Sequence, residues 1–453
     1  MKMKSKRMRK KYKRELKKAD RGIVDLLHII FHFFGNLSQW IAEMTDGRHQ
    51  SYITYTQENL LCMGILKNLC SVESMRQMEE KFNEETCIRT LGILSGNPGL
   101  EEMPHSDTLN HYLSKLSPEC LEQLRNKMVR ELIRGKTFHR GRLLNEYWRV
   151  ILDGTGLFYF REKHCEHCMK EKHVDESGKK SVRYYHKVLE AKLVLGKGFV
   201  ISLGTEFIEN ENEDAQKQDC ELNAAKRLME KIKKAFPRLA ICIQADALYE
   251  AETVMGQCRD YGWEYLITHK DTRQRNVGKD YGLLGEEKTE VGSVGKESGT
   301  GHYYNGMHEI SGKKEIMNLF EYEYEKQSEK EMKKIRFSWN TSIEVTGNNI
   351  NELIEAGRGR WQIENEGFNT QKNILYHIEH LNSKNPTAMK NHYLLTQISD
   401  IIMSLYLHWN PIIKQLGQGI KNTSSYILES LRQTKVTDED VLYIKRRTSV
   451  YLE

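Results

Sequence analysis

The sequence lacks any run of eighteen apolar residues, so it predicts no helix that spans a membrane. Its most apolar stretch, residues 22–37, contains Asp25, His28 and His32 and has no small-residue cleavage site, which argues against a signal peptide. The nine cysteines are odd in number. In a chain of this length they suit reduced thiols in a cytosolic compartment better than a disulfide scaffold.

The charge is distributed unevenly along the 453 residues. Residues 1–18 contain eleven Lys or Arg and one acid, which gives them a net charge of +10. Since the whole chain has a net charge of +6, the other 435 residues have a net charge of −4. A basic arm on a near-neutral body indicates a polyanion partner, because cationic side chains that neutralise phosphates release condensed counterions. The alternative is a disordered tail that aids solubility.

The residue pattern predicts a helical region followed by a mixed sheet. Apolar residues recur at helical spacing from about residue 20 to 136, and Ser117-Pro118-Glu119 is typical of a helix start. After Gly141 the period changes to that of strands and helices in the order β-β-β-α-β-α-β, which predicts an antiparallel section beside parallel strands. The predicted segments are 150–156, 188–195, 198–207, 220–236, 239–244, 252–261 and 264–268.

Residues 269–334 are charged and rich in Gly and Tyr, and we interpret them as a β-rich insertion. A further strand is predicted over 336–343, a helix within 349–373, and apolar then polar helices to the end. We therefore predict an α/β fold with the following domains: basic arm 1–20; helical DNA-binding domain 21–140; α/β core, first part, 145–268; β-rich insertion 269–334; second part of the core 335–395; C-terminal helical region 396–453.

Three acids fall where such a fold places a ligand. Asp153 and Asp246 each follow an apolar strand, and Glu364 follows on a helix. Converging carboxylates repel unless cations offset their charge, and two Mg²⁺ ions are a recurrent solution for attack on a phosphodiester. Taken singly, Asp153 is equally well explained as a turn aspartate and Asp246 as a strand-end cap.

The helix that carries Glu364 has a second polar residue on the same face. Arg360 lies four residues before Glu364, and Trp361 and Phe368 have the spacing of a buried seam. Glu366 is a rival third acid, but on an α-helix it points about 200° away from Glu364. An ordinary amphipathic helix with one ion pair remains the alternative.

Three segments resemble the acidic motifs of DDE transposases of the IS4-like insertion-sequence superfamily. They are Leu152-Asp153-Gly154-Thr155, Gln244-Ala245-Asp246-Ala247-Leu248-Tyr249 and Gly359-Arg360-Trp361-Gln362-Ile363-Glu364-Asn365-Glu366-Gly367-Phe368. The resemblance spans about residues 145–395. It implies a ribonuclease-H-like core with a β insertion before the last catalytic helix, an all-α domain in front and helices behind.

The resemblance also implies roles for residues. Asp153, Asp246 and Glu364 would be the catalytic, Mg²⁺-binding trio, and Arg360 would contact DNA phosphate. Two positions depart from the family pattern, since Gly357 stands where a Tyr is usual, and Gln371 with Lys372 stands where a Lys is usual. The residues that we predict to bind DNA are Arg358, Arg360 and Lys372, with Lys10, Lys11 and Arg14 of the arm.

The predicted function is metal-dependent strand cleavage and strand transfer of an insertion-sequence element. Two Mg²⁺ ions, replaceable by Mn²⁺, would serve the site. The partners would be double-stranded terminal inverted repeats, target DNA and a second copy of the chain, in a bacterial-type cytoplasm at the nucleoid. A catalytically idle DNA-binding protein and a metal-dependent nuclease of the same fold are the alternatives.

One cysteine cluster suggests a second metal. Cys165 and Cys168 form a Cys-x₂-Cys pair whose histidine neighbours are His164, His167 and His173. That spacing suits a structural Zn²⁺ held by Cys165, Cys168 and His173, although no second Cys-x₂-Cys follows. The alternative is an exposed hairpin loop.

Overall fold

A computed structural model describes most of the chain. It covers residues 21–136, 138–162, 165–174, 178, 180–196, 198–211, 217–270, 287–294, 297–310, 313–327, 332–409 and 420–446. Within these ranges, no helix combines the length and the apolar character that crossing a bilayer requires.

The helices of the described ranges begin and end as follows: α1 Gly22–Phe33, α2 Leu37–Ala42, α3 Gln57–Leu69, α4 Met75–Lys81, α5 Glu85–Ser95, α6 Ser106–Lys115, α7 Pro118–Arg134, α8 Glu221–Ala235, α9 Glu252–Tyr261, α10 Ile350–Arg358, α11 Pro386–Trp409, α12 Ile420–Gln433 and α13 Asp438–Arg446. A 3₁₀ turn, Gly359–Trp361, and a π-helix, Ile363–Ile374, follow α10. As the sequence predicts, Ser117 is the N-cap of α7 and Pro118 its first residue.

The strands are β1 Trp148–Phe160, β2 Met169–Val174, β3 Lys180–Gly196, β4 Phe199–Ile208, β5 Ile241–Ala245, β6 Glu264–Thr268, β7 Glu287–Val294, β8 Glu297–Ile310, β9 Lys313–Gln327 and β10 Met332–Thr341. The chain is therefore a mixed α/β protein, as predicted, and the described residues 287–294, 297–310 and 313–327 of the predicted insertion are β-strands.

By internal packing the chain divides into two units. The helical unit contains the described residues of Met1–Thr137 and Phe368–Glu453. Its centre is α11, which packs on α3, α6 and α7. The Asn391 side chain on α11 donates to the carbonyls of Leu113 and Leu116 at 2.8 and 2.7 Å, so it satisfies two carbonyls at the end of α6.

The sheet unit contains the described residues of Phe138–Gly367. Its strands run in the order β2-β3-β1-β5-β6-β10-β9-β8-β7, and β4 pairs with the second half of β3. The β1–β5 and β5–β6 pairs are parallel, whereas β1–β3, β3–β4 and β6–β10 are antiparallel. The short strand β5 is buried throughout, as its apolar sequence predicts.

Helix α8 covers β4 with an apolar face. Leu228 and Ile232 of that face approach Gly204 of β4, where an added Cβ would lie 2.7 Å from a Leu228 methyl carbon and 3.1 Å from Ile232. A larger residue at position 204 would push the helix away from the sheet, so the glycine sets how closely α8 approaches β4.

The strands β9 and β10 carry an aromatic face against α10. Phe320 and Phe337 both stack on Trp339, with ring centroids 5.2 and 5.7 Å apart respectively. Ile350 and Leu353 of α10 belong to the same buried cluster. This packing fixes the helix that leads into the Arg360 and Glu364 segment.

Candidate active site

The two predicted aspartates follow the paired part of two adjacent parallel strands. Ile151 of β1 pairs with Gln244 of β5, and Asp153 and Asp246 each come two residues later in the chain. The Asp246 charge acts on Asp153, so the two carboxylates are near each other. The sequence predicts that the first strand ends near Gly156, but β1 continues to Phe160. Asp153 is therefore inside a strand, just beyond its pairing with β5, because β3 continues to pair with β1 as far as Phe160.

Asp246 follows the last residue of β5 and begins a short 3₁₀ turn, Ala247–Tyr249. Its side chain accepts the Leu248 N–H at 2.8 Å. The strand-end cap considered from the sequence is thus present. One carboxylate oxygen makes that capping bond, and the side chain remains partly exposed at the carboxyl end of the sheet.

Arg360 is turned toward Asp153. Its Nη1 lies 3.7 Å from Oδ2 of Asp153, and 14% of the arginine side chain is exposed. Burial raises the pKa of Asp153 from 3.8 to about 6, the Arg360 charge opposes that rise, and the Asp246 and Glu221 carboxylates add to it. The pKa therefore rises mainly because burial disfavours the charged carboxylate, and the Arg360 charge offsets only part of that cost.

Glu221 is an acid of this group that the sequence analysis missed. It begins α8, and its carboxylate accepts the Tyr249 hydroxyl at 2.7 Å and pairs with Lys187. An added Cβ at Gly154 would meet that carboxylate at 2.8 Å, so Gly154 makes room for it beside Asp153. From sequence, Glu221 is one more acid in a first helical turn, and only the docking of α8 brings it here.

Glu364 lies on the π-helix and is exposed. Within the described ranges, its carboxylate makes no hydrogen bond or ion pair that joins it to Asp153 or Asp246. Nor do the oxygens of these three acids all lie within 4.8 Å of one another. The structure therefore brings Asp153, Asp246 and Arg360 together and leaves Glu364 outside that contact.

The predicted helix around Glu364 is interrupted. A Cβ at Gly357 would lie 2.6 Å from the Trp339 indole, and one at Gly359 would lie 3.2 Å from the Arg149 guanidinium. The helix is narrower in the 3₁₀ turn that begins at Gly359, where hydrogen bonds join residues three apart. It is wider in the π-helix that follows, where they join residues five apart. Trp361, predicted to share a buried seam with Phe368, is 53% exposed.

The break also removes the basis for placing Arg360 and Glu364 on one face. That argument assumed a regular α-helix with a constant turn per residue. With a 3₁₀ turn and a π-helix in the segment, Arg360 points inward and Glu364 is exposed. The same assumption excluded Glu366, which is also exposed.

The two residues at the end of the π-helix have different surroundings. Gln371 is fully buried, and its amide donates to Gln397 at 3.0 Å and to Asp400 at 2.8 Å. Lys372 is partly exposed and pairs with Glu379 at 2.8 Å. Gln371, at the position where the resembled family usually has a lysine, is therefore a buried side-chain amide. Lys372 has the partly exposed cation.

Arg358 borders a cavity of about 560 Å³ in the sheet unit. Its guanidinium lies within 6 Å of the ring centroids of Tyr322, Tyr324 and Phe337. The charged residues that line the cavity are Arg140, Arg142, Arg149, Arg358, Glu352 and Glu355. Four guanidinium groups against two carboxylates make this a cationic recess, which we name the arginine cavity.

The cysteine pair contacts a different histidine from the one predicted. Cys165, Cys168 and His186 form a compact group, whereas His173 is on β2 and pairs with Ser181 of β3. His186 was missed because it lies eighteen residues beyond Cys168 and meets it only through strand pairing. His164 and the predicted DNA-binding residues Lys10, Lys11 and Arg14 are outside the described residues.

Comparison with known proteins gives little further information. No protein-family model matches the sequence, and no curated protein matches it. Among solved structures, the chain is similar to a cryo-EM structure of the piggyBac transposase synaptic complex with hairpin DNA. That alignment has 12% identity and a TM-score of 0.40, and it covers 94% of this chain and 84% of that one. At these values the likeness defines no activity for the present chain.

Proposed function

We propose that the protein is a DDE transposase of the IS4-like superfamily, which cleaves DNA strands at the ends of an insertion-sequence element and joins them to target DNA. The observation that carries the proposal is that Asp153 of β1 and Asp246, directly after β5, each come two residues beyond the last pair of these adjacent parallel strands and interact electrostatically. There Asp153 is largely buried, and its raised pKa reflects burial and neighbouring carboxylates. The sequence motifs around both aspartates point to the same chemistry.

The arrangement of the central strands supports a ribonuclease-H-like core. Across the sheet these strands are β4, β3, β1, β5 and β6, the first three antiparallel and the last two added in parallel. Helices α8 and α9 precede β5 and β6 respectively. Ligands of open α/β sheets bind beyond the carboxyl ends of such parallel strands, where Asp246 lies.

The donor set suits Mg²⁺ or Mn²⁺. Asp153 and Asp246 offer carboxylate oxygens, the ligands that these hard cations prefer. Two such ions would activate the attacking oxygen and stabilise the leaving oxygen of a phosphodiester. Asp153 and Asp246 would hold them, and Arg360 would limit the repulsion between these acids.

We assign the third carboxylate to Glu364 rather than to Glu221. Both Glu221 oxygens already have donors, since one accepts the Tyr249 hydroxyl and the other pairs with Lys187. That compensation suits a residue that positions its neighbours. Glu364 lies on the segment that carries Arg360 and is exposed, as Glu366 is, and the motif that resembles the transposase family favours Glu364 of the two.

The arginine cavity is the surface that we propose for the DNA backbone. Guanidinium groups match phosphate oxygens in pairs and keep their charge at any working pH. The cavity shares the segment of residues 358–362 with the carboxylates, since Arg358, Gly359 and Gln362 line it and Arg360 contacts Asp153. The basic arm and the helical unit would add contacts to the terminal inverted repeats, and pairing two element ends would require a homodimer.

The test is cleavage of a labelled duplex that carries the boundary between the element and its flank. Wild type and the Glu364→Gln variant are compared with Mg²⁺, Mn²⁺ or Ca²⁺, and Glu366→Gln serves as the matched control on the same turn. We expect nicks at the boundary with Mg²⁺ or Mn²⁺, their loss in Glu364→Gln, Asp153→Ala and Asp246→Ala, and their retention in Glu366→Gln.

The other outcomes identify the alternatives. Specific binding of the boundary duplex without nicks in any metal would indicate a catalytically idle DNA-binding protein. Cuts scattered along unrelated duplexes would indicate a nuclease of the same fold. If Glu366→Gln loses cleavage and Glu364→Gln retains it, Glu366 and not Glu364 is the third catalytic carboxylate.

A further inference from the structure

Three side chains with metal-binding atoms converge away from the carboxylates. The Sγ atoms of Cys165 and Cys168 lie 3.2 Å apart, and the Nε2 of His186 lies 3.4 Å from the first and 3.5 Å from the second. Among the described residues, this is the group of His, Cys, Asp and Glu whose ligand atoms are all mutually close. We propose that Cys165, Cys168 and His186 bind a structural Zn²⁺ ion.

The separations fit a shared tetrahedral ion. Zn–S bonds of about 2.3 Å and Zn–N bonds of about 2.0 Å place sulfur and nitrogen ligands about 3.5 Å apart and two sulfurs about 3.8 Å apart. The two S···N distances already have these values. The S···S distance needs to open by about half an ångström, which a small rotation of the Cys165 side chain in its turn supplies.

The backbone around the cysteines is held in place by its own hydrogen bonds. The Cys168 N–H donates to the Cys165 carbonyl at 3.4 Å, which closes the turn between them. Asn210 donates its side-chain amide to the Cys168 carbonyl at 3.0 Å and its N–H to the His167 carbonyl at 3.2 Å. The loop is therefore positioned before any ion binds, which lowers the entropic cost of binding.

The histidine is fixed from the other side. His186 is on β3, opposite Phe158 of β1, and is 6% exposed. The rings of Phe158 and Phe160 make edge contacts with its imidazole at centroid distances of 6.4 and 6.2 Å. Cys168 is 4% exposed. A buried imidazole and two thiols supply three of the four nitrogen and sulfur ligands of a tetrahedral structural zinc site.

The remaining cysteines differ from this pair. Cys62, Cys70, Cys87, Cys242 and Cys258 are buried, as small apolar residues often are, and belong to no such ligand group within the described ranges. The ion would tie the loop after β1 to the middle of β3, which makes its role structural. This inference does not depend on the proposed transposase activity.

The test measures zinc in the full-length protein after exhaustive dialysis against metal-free buffer. We expect about one Zn²⁺ per chain, and Co²⁺ substitution that gives the visible absorption of a tetrahedral thiolate site. Cys165→Ser, Cys168→Ser and His186→Ala should lose the metal. His173→Ala and Cys220→Ser, which alter the histidine predicted from sequence and an exposed cysteine, should keep it.

A variant that retains a ligand guards against loss of metal through misfolding. His186→Cys should keep zinc and His186→Ala should not, with circular dichroism checked for both. The proposal would be overturned if the wild-type protein contains no zinc and its Cys165 and Cys168 form a disulfide or react freely with a thiol reagent. It would also be overturned by zinc that persists in both His186→Ala and Cys168→Ser, or that is lost in His173→Ala.

Discussion

At the scale of single residues, the carboxyl of Asp153 lies in surroundings that disfavour its charged form. Its side chain is 24% exposed, and burial is the main reason that its pKa rises to about 6. Ionisable groups with strongly shifted pKa values are common at functional sites. A bound cation would stabilise the charged form of such a carboxyl. Arg360 provides part of that stabilisation within the chain.

The pH dependence of stability tests this account of Asp153. Since its pKa is raised on folding, from 3.8 to about 6, its contribution to stability is present below its ordinary pKa and is lost as the pH rises through about 6. Asp153→Asn should therefore exceed wild type by up to about 3 kcal/mol in unfolding free energy at pH 7.5. That advantage should shrink toward pH 4.

Urea unfolding in the presence of a chelator, at several pH values, gives the measurement. Asp260→Asn at the exposed end of α9 is the charge-matched control. An advantage for Asp153→Asn that does not change with pH, or that is no larger than that of the control, would show that burial does not strain this carboxyl.

Gly357 is fixed by its neighbour. An added Cβ would lie 2.6 Å from the Trp339 indole, which is buried and stacks on Phe320 and Phe337. Gly357→Ala should lower the free energy of unfolding by about 1–3 kcal/mol despite the better helix propensity of alanine. Trp339 thus occupies the space that the tyrosine usual at this position in the resembled family would need.

Chemical denaturation of a double-mutant cycle checks this prediction. The cost of Gly357→Ala should fall sharply in a Trp339→Ala background, since the clash is then removed. Gly256→Ala in α9 is the control, because its added Cβ would meet the flexible ends of Glu252 and Arg259. Equal costs for Gly357→Ala in both backgrounds would rule out the clash as the cause.

At the scale of elements, the segment of residues 350–374 departs furthest from the sequence prediction. Apolar periodicity predicts the strands β1, β5 and β6 and the amphipathic helices well, because burial on one side imposes the period. It predicts one regular helix here, whereas the chain forms α10, a 3₁₀ turn and a π-helix. The break depends on close contacts of Gly357 and Gly359 with Trp339 and Arg149, which periodicity does not encode.

The arginine cavity gives a prediction for the elements that line it. If Arg140 and Arg142 contact two phosphates, the Arg140→Ala/Arg142→Ala variant should weaken binding to any duplex and reduce the slope of log K against log salt by about 2. Arg183→Ala/Arg238→Ala, two exposed arginines of the same unit, removes equal charge as the control.

Fluorescence anisotropy over a series of salt concentrations measures both slopes. If the control variant reduces the slope as much as the cavity variant does, the effect comes from net charge and not from contacts in the cavity. An unchanged slope in the cavity variant would remove the cavity from the DNA-binding surface.

At the scale of the whole molecule, positive charge is concentrated at the start of the chain. Residues 1–18 carry +10 and the remainder −4. Deleting these residues should weaken duplex binding and flatten its salt dependence, because fewer counterions are released. The measurement is the same salt series. A variant whose arm has glutamine at every Lys and Arg serves as the length-matched control, and an unchanged slope would make the arm a solubility tail.

The sequence by itself determined the types of most elements, because apolar periodicity is a property of neighbouring residues, and it placed Asp246 correctly at the end of a strand. It ended the first strand too early, so Asp153 lies inside β1 rather than at its end. Only the tertiary structure decided that Glu221 joins these acids, that Arg360 turns inward while Glu364 is exposed, and that His186 rather than His173 meets the cysteines. Each of these depends on strand register or helix docking between residues far apart in the chain. Such contacts are set by packing, which no short stretch of sequence specifies.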